Sequence, residues 1–200
     1  MEALYISKIA DNISKLIAIK KDEFSPAIRE KINKGQLRLT EAAFFHTASF
    51  TTLAESVELF TPNHPSGPGY SSFLDGKISD HLIVVDFISL QYMESSSLTG
   101  AKFMTVNNPA ITSIVTGAVV EFYKNKKMIL RRQAYHFSEW RELNGDAIGN
   151  GGLSLRRPII LTPDDQLQVT IKFPHGYTYT PASGKAWFRL NLFGVSAKIR

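Results

Sequence analysis

The sequence predicts an all-β fold, an antiparallel sandwich or barrel of eight or nine strands with a short helical arm in front of it. The chain contains 13 Phe, 7 Tyr and 2 Trp, and aromatic residues favour pleated, half-buried surfaces. Apolar and polar residues alternate along several short runs that turn residues separate. No helical period intervenes between these runs, which excludes a doubly wound α/β sheet.

Composition is that of one folded domain, with 200 residues, of which 44% are hydrophobic and 20% charged. The absence of Cys excludes disulfides, thiolate zinc sites and cysteine nucleophiles. A formal net charge of +5 permits contact with anions, but the basic residues are dispersed and predict no specific nucleic-acid site. Charged residues interrupt every apolar run near the N-terminus, so neither a membrane span nor a secretory signal is predicted, and synthesis is expected in the cytoplasm.

Residues 1 to 35 are predicted to form an amphipathic helical arm. Over residues 3 to 20, apolar side chains recur at helical spacing while charged ones occupy the other side. A second short helix follows, with Ser25 as its cap, Pro26 at its first position and Gly35 as its stop. The arm could pack on its own domain, dock on a neighbouring subunit or lie on an anionic membrane surface. The candidate contact residues are Ile6, Ile9, Ile13, Leu16 and Ile17.

Residues 36 to 200 are predicted to form a single β domain. In the strand near 166 to 174, Leu167, Val169 and Ile171 alternate with polar residues, so one face is buried. The buried parity changes within the last strand, and Gly194 is the predicted bulge that absorbs the change. Asn125 suits a tight turn between two strands. Strands are expected near residues 37–50, 53–60, 81–93, 101–106, 112–123, 128–138, 155–162, 166–174 and 186–199.

Three long connections, which start at Thr61, Asn144 and Pro174, are rich in Pro, Gly and Ser. A connection of about 20 residues in a compact domain is usually functional, because ordinary connections have about 4 to 6 residues. Aromatic rings in these loops could contact another subunit or a sugar. The candidates for this loop contact are Tyr70, Tyr177 and Tyr179.

No catalytic residue, metal ligand or cofactor site is predicted. The five His residues have no metal-ligand spacing, and no Gly-x-Ser-x-Gly nucleophile motif occurs. Asp86 interrupts an apolar strand, and a buried carboxylate needs a partner. Asp86 is therefore predicted to form a structural buried pair with an arginine, Arg131 or its neighbour Arg132.

The chain has its elements in a distinctive order. It begins with a helical leader and continues with hairpin strands, the run RPIILTPDDQLQV from Arg157 and the final strand WFRLNLFGVSAKIR. Over residues 36 to 200 this pattern resembles single jelly-roll capsid proteins, the vertex or shell subunits of tailless icosahedral bacteriophages with an internal membrane. The resemblance implies two four-stranded sheets packed face to face. It also implies a structural, non-enzymatic virion protein that is made in the host cytoplasm and forms closed symmetric homo-oligomers.

The partners that this resemblance implies are copies of the chain and other capsid proteins, with no small-molecule substrate and no cofactor. On the inner face of the virion, the arm could also meet lipid head groups or nucleic acid through nonspecific attraction. The alternative is a carbohydrate- or receptor-binding jelly-roll module of a spike or surface protein, which would use the loop tyrosines. An enzyme is a third interpretation.

Overall fold

The computed structural model describes residues 26–34, 38–61, 70–73, 76–77, 81–99, 103–105, 114–115, 117–138, 142–143, 146–147 and 151–198. The helical elements with defined bounds are α1 (Pro26–Asn33) and a 3-10 helix (Ala134–Ser138). The strands are β1 (Arg38–Phe50), β2 (Ser56–Glu58), β3 (His81–Glu94), β4 (Met104–Thr105), β5 (Val119–Lys124), β6 (Lys127–Gln133), β7 (Glu142–Leu143), β8 (Asp146–Ala147), β9 (Leu153–Leu161), β10 (Leu167–Lys172) and β11 (Ala186–Lys198).

The first sheet has five strands, which follow the order β1-β11-β3-β4, with β9 also paired to β3. All of these pairs are antiparallel. Because β11 pairs with β3 over the whole length of β3, β4 and β9 share the opposite edge of β3. The register between β3 and β9 shifts between Val85 and Phe87, since Val85 pairs with Ile159 and Phe87 pairs with Ser154. Four residues of β9, 155–158, therefore lie opposite a single residue of β3, Asp86.

The second sheet has four antiparallel strands in the order β2-β10-β5-β6. Its central strand β10 confirms the alternation seen in the sequence, since Leu167, Val169 and Ile171 are buried and the residues between them are more exposed. β2 and β6 form the two edges of this sheet. A separate two-stranded sheet joins β7 and β8 beside the loop that was predicted from Asn144 onward.

A single apolar core lies between the two sheets. The first sheet contributes residues such as Leu90 and Phe188, and the second contributes residues such as Phe122 and Val169. The ring centroids of Tyr92 and Phe188 lie 5.0 Å apart in an edge-to-face contact. The prediction of an all-β antiparallel sandwich is therefore confirmed.

One side of the sandwich is closed by a buried histidine that joins β1 to the segment after β2. His46 Nε2 donates to the Leu59 carbonyl oxygen at 2.6 Å, and His46 Nδ1 lies 2.8 Å from Ser71 Oγ. The His46 ring stacks on Phe60 with centroids 4.1 Å apart. Hence β1 and β2 lie along the same side of the molecule.

The N-terminal segment is described only from Pro26 onward. α1 occupies the position of the second predicted helix, and Glu30 and Lys34 form an ion pair one turn apart on it. The first predicted helix lies outside the described residues, as do the five apolar contact candidates on it, Ile6, Ile9, Ile13, Leu16 and Ile17.

Gly194 is the predicted bulge, and the register between β11 and β3 does shift between Phe193 and Gly194, but the extra residue of this bulge is Asp86 on β3, so the bulge lies opposite Gly194 and not on β11. A Cβ atom at Gly194 would lie 1.9 Å from the Val84 carbonyl oxygen and 3.1 Å from the Val85 Cα. Both neighbours are backbone atoms of a central strand, so they cannot move aside as a flexible side chain does. Only glycine fits opposite this bulge without a shift of β3.

We predict that Gly194→Ala lowers the free energy of unfolding by about 3 kcal/mol, because the new methyl group overpacks the strand contact. Chemical denaturation measures this change. Gly184→Ala is the matched control, since a Cβ at Gly184 meets nothing within 4 Å and bears only its positive φ of 93°. Gly184→Ala should lower the free energy of unfolding by about 1 kcal/mol, because alanine is strained at a positive φ. Equal losses in the two variants would contradict the assigned close approach at Gly194.

Candidate functional site

An open groove of about 490 Å³ separates the β5–β6 hairpin from β9. β6 is an edge of the second sheet and β9 an edge of the first, so the groove runs along the side opposite β1 and β2. Its walls combine cationic and apolar side chains. The lining residues are Lys124, Lys127 and Ile129 from the hairpin, and Arg157, Pro158, Ile159 and Ile160 from β9.

Asp165 is a buried carboxylate, 8% exposed, that pairs with Lys124, one of the residues that line this groove. Its Oδ2 accepts hydrogen bonds from the Thr162 backbone N at 2.8 Å and Thr162 Oγ1 at 2.9 Å, and it lies 2.9 Å from Lys124 Nζ. Burial alone would raise the pKa of Asp165, but the hydrogen bonds from Lys124 and Thr162 outweigh burial and lower it. The carboxylate therefore stays charged and ties the β9–β10 turn to β5.

The tip of the β5–β6 hairpin is fixed to the same carboxylate. Asn125 and Lys126 both have positive φ, 51° and 67°, as the predicted tight turn requires. Asn125 Nδ2 donates to Asp165 Oδ1 at 2.7 Å, and Asn125 Oδ1 accepts from the Gln166 backbone N at 2.8 Å. Lys124 Nζ also donates to the Ile160 carbonyl oxygen of β9 at 3.0 Å. The hairpin is therefore bonded to both strands that the β9–β10 turn connects.

A second buried carboxylate, Glu121, lies on the outer face of the second sheet and is 2% exposed. Lys172 Nζ lies 2.9 Å and Arg131 Nε 3.3 Å from its two oxygens, and Tyr123 OH donates to it at 2.6 Å. Burial would raise the pKa of Glu121, but Tyr123 and the two cations lower it below its ordinary value. This cluster joins β5, β6 and β10 across the sheet.

Arg131, which the sequence predicted as a partner of Asp86, forms an ion pair with Glu121. Arg131 belongs to β6, and Glu121 stands directly opposite it on β5. Asp86 belongs to β3 in the other sheet, where it is half-buried and faces the irregular stretch of β9. The sequence of a single strand does not reveal which strands become its neighbours. Arg131 pairs with Glu121 because the two residues stand opposite each other on β6 and β5.

The side that carries β6 and β9 is strongly basic, and we name it the basic side by its four exposed cations, Lys127, Arg132, Arg156 and Arg157. None of these four forms an ion pair with a carboxylate of the described residues. Apolar side chains are exposed among them, with Met128 at 45% and Tyr135 at 52%. Charged and apolar groups thus lie close together along β6 and the 3-10 helix that follows it, and β6 pairs only with β5 among the described residues.

The loop tyrosines are held by the protein itself. Tyr177 stacks on Phe173 with centroids 4.6 Å apart and donates its hydroxyl to the Ile114 carbonyl oxygen at 2.7 Å. Tyr179 OH donates to Glu94 Oε1 at 2.6 Å, and this hydrogen bond together with burial raises the pKa of Tyr179 to about 12. Tyr70 is half-buried, and its carbonyl oxygen accepts from the Thr47 backbone N of β1. The structure does not bring Tyr70 together with the other two.

Within the described part of the chain, no group of three or more His, Asp or Glu side chains could hold a metal ion. Across the same residues, no helix is long and apolar enough to cross a membrane. No family model, no curated protein and no solved structure matches the chain.

Neither buried carboxylate was predicted from the sequence. Asp165 was not singled out, although Thr162 lies three residues before it, a spacing at which an Asp side chain can bind a backbone N–H. Glu121 was not singled out, although it interrupts the apolar strand VVEFY as Asp86 interrupts β3. A carboxylate inside an apolar strand is therefore a usable signal, while its partner follows only from strand order.

We predict that Asp165→Asn lowers the free energy of unfolding by about 3 kcal/mol, because Lys124 then loses its buried counter-charge. The neighbouring Asp164→Asn is the matched control, since Asp164 is exposed and the change should cost less than about 0.5 kcal/mol. Urea denaturation of both variants measures the difference. A loss at Asp165 no larger than that at Asp164 would refute the role of this carboxylate.

The lowered pKa of Asp165 also predicts a pH dependence. A carboxyl group whose pKa is lower in the folded state stabilises the fold above its unfolded pKa of about 3.9, and this contribution disappears as the pH falls through the folded value. The difference in unfolding free energy between the wild-type chain and Asp165→Asn should therefore disappear in strongly acidic solution. Thermal unfolding of both chains from about pH 7 to about pH 2 tests this, and a constant difference would contradict it.

Proposed function

We propose that this chain is a single jelly-roll subunit of a virion, which builds a vertex or shell by associating with copies of itself and with other capsid proteins. The order of the strands in the two sheets is the observation that carries the proposal. The proposal includes location in the virion after synthesis in the host cytoplasm. It assigns no enzymatic activity, and it requires neither a cofactor nor a small-molecule substrate.

The strand order supports a jelly roll once the two-residue strands β4, β7 and β8 are left aside. The eight remaining strands, counted in chain order, are β1, β2, β3, β5, β6, β9, β10 and β11. The first then pairs with the eighth, the second with the seventh, the third with the sixth and the fourth with the fifth. These pairs alternate between the two sheets. A long hairpin rolled around a core has this connectivity, which viral capsid domains share with lectins and cupins.

The surfaces of the described residues favour assembly within that fold class. The basic side offers an open strand edge with exposed apolar residues, which is a surface suited to another protein. By contrast, the hydroxyls of Tyr177 and Tyr179 are engaged with Ile114 and Glu94. These contacts favour a role of both tyrosines in holding their loop over a role in contacting sugar or receptor, so assembly is the better supported function.

The arm fits the same function as a second contact. The sequence places five apolar residues on one side of residues 3 to 20, and such a stripe can dock on a neighbouring subunit. The formal net charge of +5 would further favour nonspecific contact of the inner surface with lipid head groups or packaged nucleic acid.

We predict that the purified full chain forms closed oligomers and that Ile9→Asp combined with Ile13→Asp reduces their mass, because two charges on the apolar stripe oppose docking. Light scattering over a range of concentrations measures the mass. The matched control adds the same two negative charges on the polar side of the arm, as Ser7→Asp with Ser14→Asp. Monomers of the wild-type chain at every concentration, alone and with other capsid proteins, would contradict the proposed function.

A further inference from the structure

The two edges of the four-stranded sheet carry charges of opposite sign. β6 contains Lys127, Arg131 and Arg132 and no carboxylate. β2 at the other edge contains Glu58, and exposed Glu55 directly precedes it. Arg131 is already paired with Glu121, so Lys127 and Arg132 supply the outward charge of β6. One sheet thus has a cationic edge and an anionic edge.

The first sheet strengthens the positive charge on the same side. Arg156 and Arg157 are exposed in the stretch of β9 that loses its register with β3. The exposed apolar residues Met128 and Ile129 follow Lys127 on β6, and Ile129 lines the same groove as Arg157. β6 is an edge strand whose outer backbone groups have no neighbouring strand among the described residues. Hydrogen-bonding groups, apolar side chains and positive charge therefore coincide on one surface.

The β2 edge offers a matching but smaller surface. Glu55 accepts hydrogen bonds from the Gly176 backbone N at 2.6 Å and lies 2.9 Å from His175 Nδ1, yet half of its side chain remains exposed. Lys77 is an exposed cation that continues this edge beyond β2, because the Gly76 carbonyl oxygen accepts from the Leu167 backbone N of β10. The negative charge is therefore concentrated at the β2 end of this edge.

We infer that the basic side of one subunit docks on the β2 edge of a second copy, so that successive subunits contact one another head to tail. A contact between two different surfaces of the same chain is heterologous and closes into a ring when its rotation permits. Opposite charges on the two surfaces fix the direction of docking and disfavour contacts between like edges. The inference rests on the proposed self-assembly and specifies its contact.

Edge protection is the competing explanation of the charges on β6. Charged side chains on an edge strand prevent unwanted strand pairing, and a charge of either sign serves that purpose. Docking on an anionic edge, by contrast, depends on the sign of the charge. Charge reversal therefore separates the two explanations, because it keeps a charge on the edge and changes only the sign of that charge.

The experiment measures self-association of the full chain by analytical ultracentrifugation at low and at high salt. Arg132→Glu and Glu55→Lys should each weaken association by about tenfold or more at low salt, and raising the salt should weaken the wild-type contact. A one-to-one mixture of these two variants should regain association, because the reversed charges again attract. Lys77→Glu, which removes a positive charge from the β2 edge, should strengthen association.

Lys185→Glu is the matched control, since it makes the same charge change on the loop before β11, outside both surfaces. Thermal unfolding midpoints of all variants establish that each one is folded, and Glu58→Lys replaces Glu55→Lys if the loss of the Gly176 contact destabilises the latter. Unchanged association of folded Arg132→Glu would overturn the inference in favour of edge protection. Failure of the mixed variants to associate would overturn it as well. A wild-type chain that stays monomeric would refute the proposed function itself.

Discussion

The Asp165 carboxylate is the interaction on which the sandwich depends. It accepts from Thr162 in its own turn, from Asn125 at the hairpin tip and from Lys124 at the end of β5. The turn that carries Asp165 leads from β9 in one sheet to β10 in the other. A buried carboxylate with several donors is costly to break, because each donor would lose its partner inside the protein. One side chain therefore holds the two sheets together where the chain crosses between them.

The ion pairs of the two buried carboxylates, Asp165 and Glu121, also determine which cations face solvent without a carboxylate partner. The ammonium group of Lys124 is paired with Asp165 and donates to the carbonyl oxygen of Ile160. The guanidinium of Arg131 is paired with Glu121. The cations that face solvent on the basic side, by contrast, form no ion pair with a carboxylate of the described residues. Structural charges are thus separated from exposed charges, and the exposed charges have opposite signs at the two edges of one sheet.

The sequence predicted local features well and long-range pairing poorly. The alternation in β10 and the turn at Asn125 depend on a few neighbouring residues, and both are present, whereas the bulge predicted at Gly194 lies on the partner strand at Asp86. The second predicted strand shrinks to Ser56–Glu58, because β2 is an edge whose length depends on β10. The sequence predicted Arg131 as a partner of Asp86, because the residue pattern of a single strand does not indicate which strands lie beside it in the sheet. The contacts of Asp165 with Thr162 are local and could have been predicted, whereas its contacts with Lys124 and Asn125 depend on the order of the strands.

The most direct measurement of self-assembly is electron cryomicroscopy of the purified full chain at the highest concentration that it tolerates. We expect closed, symmetric particles in which β6 of each subunit lies against β2 of the next, with the sandwich itself unchanged. Such particles would show that the protein functions by forming a shell. Isolated single subunits, or particles in which the basic side stays exposed to solvent, would contradict that conclusion.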